Sequence, residues 1–158
     1  MTGHTVSRER LDWITTISLA HANRGIVGGY VQAGHGGKSR LERLQAGDRI
    51  VCYSPRSDHP EGRPVQQFTA WGVVVGREPY QVDLAPGPQA WRRQVGFEPS
   101  LPVDVHGLLD RLGFVPDPRH WGMPFRRGLF TIPAADFDLI VAAMGAGRLG
   151  NPVLPVCA

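Results

Sequence analysis

The residues best placed to do chemistry begin in the run Trp13 to Lys38, WITTISLAHANRGIVGGYVQAGHGGK, where an apolar strand feeds a short polar turn and then a glycine-dense loop. Ser18, His21, Tyr30, Gln32 and His35 fall where a strand ends or a loop begins, and from such positions side chains reach ligands. Three later clusters set aromatic rings beside polar groups: Tyr53-Ser54-Pro55, Trp91-Arg92-Arg93 and His120-Trp121-Gly122. Rings, amides, hydroxyls and guanidinium groups in this mixture suit the sandwiching and hydrogen bonding of a flat polar ligand.

Several of these residues carry a second, purely structural reading. Trp13 and Trp71 lie inside apolar strands and read as core. Trp91, among Pro88, Gln89, Arg92 and Arg93, is either a wall of a ligand cage or a lid over the core, and Tyr53 divides in the same way. His120-Trp121-Gly122 reads as a ligand contact or as a corner in which the imidazole bonds backbone, while Arg126-Arg127 reads as a solvated strand edge or an ion-pair partner.

Other chemistries fit poorly. Gly37-Lys38-Ser39 ends like a phosphate loop, but Gln32 stands where the first glycine of that motif belongs. The six His are scattered, and no H-x-x-x-H, C-x-x-C or acidic triplet supplies metal ligands at close spacing, so no metal or cofactor is expected. Cys52, in mid-strand, reads as a small apolar residue rather than a nucleophile. An enzyme using His120 or His21 as acid or base is one alternative; a protein-interaction module is another.

The elements that must position these groups follow from pattern and composition. The chain has 158 residues, 42% of them hydrophobic and 20% charged, with 20 Gly and 14 Pro. That is enough to bury one core in a chain of short elements and many turns. Residues 1–10 read as an N-terminal arm, 11–145 as one domain and 146–158 as a C-terminal tail. Two cysteines exclude a disulfide framework, and no apolar signal core or membrane-length run is present, so the expectation is a cytoplasmic protein off the membrane. The net charge of +3 permits a nucleic-acid partner without requiring one; 16 of the 17 cations are Arg, the side chain better suited to phosphate forks and base stacking.

Alternation predicts a half-buried strand from Leu11 to Ser18, a short capped turn from Ser18, and strand-like pattern resuming over 26–33. Ser39-Arg40-Leu41-Glu42 is a capping-box sequence opening a short helix. Strands follow at 49–54, at 67–76 as a central strand, at 80–84, at 91–97 and in RGLFTI. Val105, Leu108, Leu109 and Leu112, and later Phe137, Ile140, Val141 and Met144, carry helical spacing. Short strands interrupted by short helices predict an α+β fold on a twisted, barrel-like sheet of about five to seven short strands with short flanking helices.

The blocks WITTIS with His21, Gly28-Gly29-Tyr30, Gln32, His35-Gly36, GDRIVCYSP, FTAWG, PYQV, AWRRQVGF and HWGMPFRRGLFTI, in this order over 13–144, resemble the EVE domain family of bacterial proteins. EVE domains belong to the PUA-like superfamily, with YTH and ASCH domains as relatives. The resemblance implies a PUA-like pseudo-barrel with a pocket for a flipped, chemically modified base of DNA or RNA. It implies that Ser18, Tyr30, Gln32, Tyr53, Ser54 and Trp91 line that pocket and that Arg92 and Arg93 reach phosphate. His21, His35, His120 and Trp121 are further possible contacts. The sequence departs from the family by one extra glycine in GHGGK, and by Cys52 where an aromatic residue is common. Stacking contributes roughly 1 to 3 kcal/mol per base. Burying a methyl mark adds only about 0.8 kcal/mol, so selectivity needs a polar contact, which Ser18 and Gln32 can supply.

Overall fold

The computed structural model describes residues 8–33, 37–87 and 89–149. In chain order the elements are β1 (Asp12–Thr16), α1 (Leu19–Gly28), β2 (Tyr30–Ala33), α2 (Gly37–Leu41), β3 (Arg49–Arg56), β4 (Pro64–Val74), β5 (Tyr80–Asp83), β6 (Gln89–Glu98), β7 (Val103–Asp104), β8 (Leu129–Ile132) and α3 (Ala134–Leu149), with 3-10 turns between β7 and β8. The strands form one mixed sheet in the order β2-β6-β4-β3-β1-β8, with β5 paired to β6 and β7 to β4. β1 runs parallel to β3 and antiparallel to β8. The central position expected for the 67–76 run is occupied by β4.

Apolar side chains fill both faces of the middle of this sheet. Ile14, Val51, Tyr53, Phe68 and Phe130 join Phe137, Ile140 and Met144 of α3 in one cluster. Trp13, Ile50, Val74, Val95 and Leu129 join Val31, Leu41 and Leu44 in the other. Neighbours such as Trp13 and Ile14, Ile50 and Val51, or Leu129 and Phe130 divide between the two, as the twofold alternation of a strand demands. This is why Arg49 to Ser54 reads as an unbroken apolar run.

Two buried polar centres tie the layers together. Asp48 accepts hydrogen bonds from both terminal nitrogens of Arg8 (2.9 and 2.7 Å), from Trp13 Nε1 (2.9 Å) and from the amides of Leu11 and Gln45 (each 3.0 Å). Burial alone would raise its carboxyl, but these donors outweigh burial and hold it near pKa 2. Arg8, from the expected arm, is therefore bound into the domain. The second centre is Arg93, 2% exposed, which donates to the carbonyls of Leu41 (3.2 Å), Leu44 (2.8 Å) and Gly76 (2.8 and 3.1 Å).

Several local expectations change. The segment from Ser18 is a full α-helix to Gly28, so Ile26 and Val27 lie on its outer face, and only Tyr30–Ala33 is strand. Gly29, at φ +74°, ends the helix in the left-handed conformation that glycine adopts without penalty. Ser39 lies within α2 rather than capping it. Val105, Leu108 and Leu112 are buried as their spacing implied, but on 3-10 and turn backbone, because Gly107 and Gly113 interrupt the segment. α3 runs to Leu149, beyond the boundary expected at 145.

Candidate nucleic-acid interface

The sheet curls without closing, and its two end strands, β2 and β8, flank one cavity of about 170 Å³. Its apolar lining comes from Ile17, Val31, Ala33, Leu41, Ile50 and Leu129; its polar lining comes from Thr15, Thr16, His21, Gln32 and Arg40. At the β8 end stands Gly128, φ +78°, where a Cβ would come within 3.2 Å of Arg40 Nη1. Glycine there leaves the guanidinium its place. Among the described residues, the lining contains no Phe, Tyr or Trp ring, and its one aromatic group is the His21 imidazole.

Local sequence fixes His21. Ser18, extended at φ −63° and ψ 159°, caps α1, its Oγ accepting the His21 amide at 3.1 Å. The first turn is held further by Ala20 N–H donating to the Ser57 carbonyl at 3.0 Å. His21 is thereby set between the cavity and a groove of about 420 Å³ that shares Thr16, Ile17 and His21 with it. His21 Nε2 is buried and has no hydrogen-bond partner among the described residues. Burial, with smaller contributions from Arg24 and Arg92, lowers its pKa to about 4, so the imidazole is neutral at physiological pH. Such a group is a poor proton acceptor near pH 7 but a good hydrogen-bonding partner for an uncharged ligand edge.

Beside it, Gln32 and Arg92 form a prearranged pair. Arg92 Nε donates to Gln32 Oε1 at 2.9 Å, and the guanidinium carbon lies 3.8 Å from the centre of the Tyr30 ring. Among the described residues, the Gln32 amide nitrogen and the Arg92 terminal nitrogens are left as donors, and Arg92 is in no ion pair.

The other expected site residues lie apart from this cavity. Arg92 and Arg93 are adjacent on β6 and must face opposite sides, so only Arg92 is available to a phosphate; Arg93 is the buried strut described above. Tyr53 and Ser54 are buried because β3 is covered on both faces. Tyr53 packs its ring 4.1 Å from that of Phe125, and burial pushes its phenol well above the ordinary value. Ser54 Oγ pairs with Thr69 Oγ1 at 2.8 Å. Trp91, cross-strand from Ala33, packs half-buried on the core with Lys38 Nζ 5.1 Å from its ring centre, and lines neither the cavity nor the groove. His35 lies outside the described residues.

His120 and Trp121 belong to a separate place. His120 is exposed, its Nδ1 3.0 Å from Asp117 Oδ2, beside a hollow of about 450 Å³ that shares no residue with the cavity. Trp121 covers the core against Tyr53 and Phe125. Cys52 is fully buried and its thiol is pushed up to about 12, far from a thiolate at neutral pH. Among the described residues, no three His, Cys, Asp or Glu side chains stand together as a metal site, and no helix is long and apolar enough to cross a membrane. Sequence reading missed Arg24, Arg40 and Thr15. Arg24 lies three residues after His21 on α1, within reach of the same helical face.

Comparison with known proteins places this geometry. The model of the EVE domain matches residues 13–143. A UPF0310 protein of Mycolicibacterium gilvum is 44% identical over 133 residues, 84% of this chain and 94% of its own. The UPF0310 protein YdcG of Bacillus subtilis is 35% identical over 138 residues, 87% and 94% of the two chains. Among solved structures, Rpa0253 of Rhodopseudomonas palustris superposes with TM-score 0.53 at 15% identity, covering 86% of this chain and 94% of its own. The YTH domain of Zygosaccharomyces rouxii MRB1, solved with N6-methyladenosine RNA, superposes with TM-score 0.54 at 16% identity, covering 85% and 86%. These likenesses establish the curled half-barrel, and the match to residues 13–143 establishes that the chain belongs to the EVE domain family.

Proposed function

We propose that this protein is a non-catalytic nucleic-acid-binding module that takes a modified base of DNA or RNA into the cavity between β2 and β8. The observation that carries the reading is His21, a neutral residue of the cavity lining whose buried Nε2 has no partner among the described residues. A buried polar atom left unpaired costs about 1 to 3 kcal/mol, and a base edge entering the cavity would recover it. Gln32 offers a second edge contact, the aliphatic lining offers area to a methyl group, and Arg40 and Arg92 offer positive charge without a carboxylate partner among the described residues. The likeness to a YTH domain solved with methylated RNA supports the same reading at the level of the fold.

Recognition here differs from an aromatic cage. With imidazole and aliphatic walls in place of Tyr53 and Trp91, discrimination rests on edge hydrogen bonds and shape. The test is a titration of single-stranded and duplex oligonucleotides, each carrying one modified base from a panel, against unmodified counterparts at low salt. Preferential binding of at least one modified strand is expected; no binding to any member would overturn the proposal.

A further inference from the structure

The groove on the outer side of His21 has no role in the reading above. It is lined by Thr16, Ile17, Ser18, Arg24, Arg56 and His59, with Asp58 and Pro55 completing it. Because it shares Thr16, Ile17 and His21 with the cavity, these three residues stand between the recess and an open groove that carries Arg24 and Arg56. We propose that this groove seats the sugar–phosphate backbone of the strand whose base enters the cavity, with Arg24 and Arg56 as its phosphate contacts. The inference rests on the base-binding reading and assigns the path of the polymer around it.

Charge and accessibility point to a phosphodiester rather than to a second base. Arg24 and Arg56 are exposed, and neither forms an ion pair among the described residues. Among the described residues Arg56 makes one side-chain hydrogen bond, Nη1 to the Gly62 carbonyl at 3.1 Å, so its Nε and Nη2 stay available for a bidentate contact. The acid in the groove, Asp58, already accepts the His59 amide through Oδ1 at 2.8 Å. The groove wall is fixed: Ser57 N–H donates to the Arg63 carbonyl at 2.9 Å, and Arg63 N–H donates to Ser57 Oγ at 3.0 Å. The start of α1 is not the anion receptor, because the amides of Ala20, His21 and Ala22 are taken by Ser57 O, Ser18 Oγ and Ser18 O. The Arg24 and Arg56 guanidinium groups are the permanently charged donors of the groove.

The experiment measures affinity for one modified oligonucleotide and its unmodified twin as a function of salt, for the parent protein and for Arg24→Ala, Arg56→Ala, their combination, and Arg111→Ala as a cation outside both concavities. Each phosphate released from a single strand lowers the slope of log K against log salt by about 0.7, so the double variant should lose about 1.4 and Arg111→Ala should lose nothing. The ratio of modified to unmodified affinity should stay unchanged in all four variants. An unaltered slope in the double variant, with the modified-base preference intact, would overturn the groove assignment while leaving base binding standing. Loss of the preference together with an unaltered slope would overturn it too, because the two arginines would then act on the base. No binding by the parent protein would remove the base-binding reading itself.

Discussion

His21 is a residue whose cost to the fold and whose use to a ligand can be separated. Its Nε2 is buried without a partner among the described residues, so His21→Leu removes an unsatisfied group while keeping most of the packing. Thermal unfolding of this variant should occur at the same temperature as the parent or slightly higher, whereas affinity for the preferred modified strand should fall roughly tenfold, the equivalent of one hydrogen bond of about 1.4 kcal/mol. A variant that unfolds at lower temperature and binds as before would assign His21 to the core instead. The pH profile adds a second check. The imidazole pKa lies below its ordinary value, so the neutral form persists as pH falls from 8 to about 5 and is lost only near 4. Affinity for an uncharged base edge should therefore be flat across that range and decline only at its acid end. The same depression means that the unfolded chain binds a proton first, so His21 lowers stability as pH falls from about 6.5 toward 4.

At the scale of elements, the cap of α1 and the Arg93 strut hold the site in place. Ser18→Ala should cost about 1 kcal/mol in chemical denaturation and weaken binding as well, because the cap sets the turn on which His21 stands. Arg93→Met should cost more, roughly 2 to 4 kcal/mol, by leaving the Leu41, Leu44 and Gly76 carbonyls without their donor. These two residues also show what the sequence made legible. Ser18 as a cap, the central β4 and the α3 stripe of Phe137, Ile140 and Met144 all follow from local rules of capping and periodicity, and the structure contains them. The pocket lining was legible only in part. Adjacent strand residues face opposite ways, which separates Arg92 from Arg93, and a strand covered on both faces hides Tyr53 and Ser54. Alternation is a local rule, but which of the two arginines is buried, and that β3 is covered on both faces, depend on what packs against the strand, and no local pattern reports that. Arg40 and Leu129 reach the cavity through the curl of the sheet, which brings together segments nearly 90 positions apart.

For the whole molecule, Asp48 couples the N-terminal segment to the sheet and sets the acid limit of stability. Its carboxyl lies near pKa 2, below the ordinary 3.8, so its contribution is complete above about pH 4 and is lost as pH falls toward 2. Free energies of unfolding measured between pH 5 and 2 should fall by roughly 2 kcal/mol from this group. The drop should be absent in Asp48→Asn, which should itself be less stable at pH 7 by about 3 kcal/mol, because Arg8 is left without its charge partner. The half-barrel is thus closed on its cores by internal polar staples and open at the seam between β2 and β8, where the cavity lies.

The measurement that reaches the ligand reading most directly is the nitrogen NMR spectrum of the His21 ring, followed as a modified oligonucleotide is titrated into the protein. Occupation of the cavity by a base predicts a saturable shift of Nε2 toward the hydrogen-bonded range, with the ring still neutral at pH 7. The unmodified strand should produce the same shift only at higher concentration. A Nε2 resonance that stays in place while the strand is demonstrably bound would contradict the account and send the search for the binding surface elsewhere on the molecule.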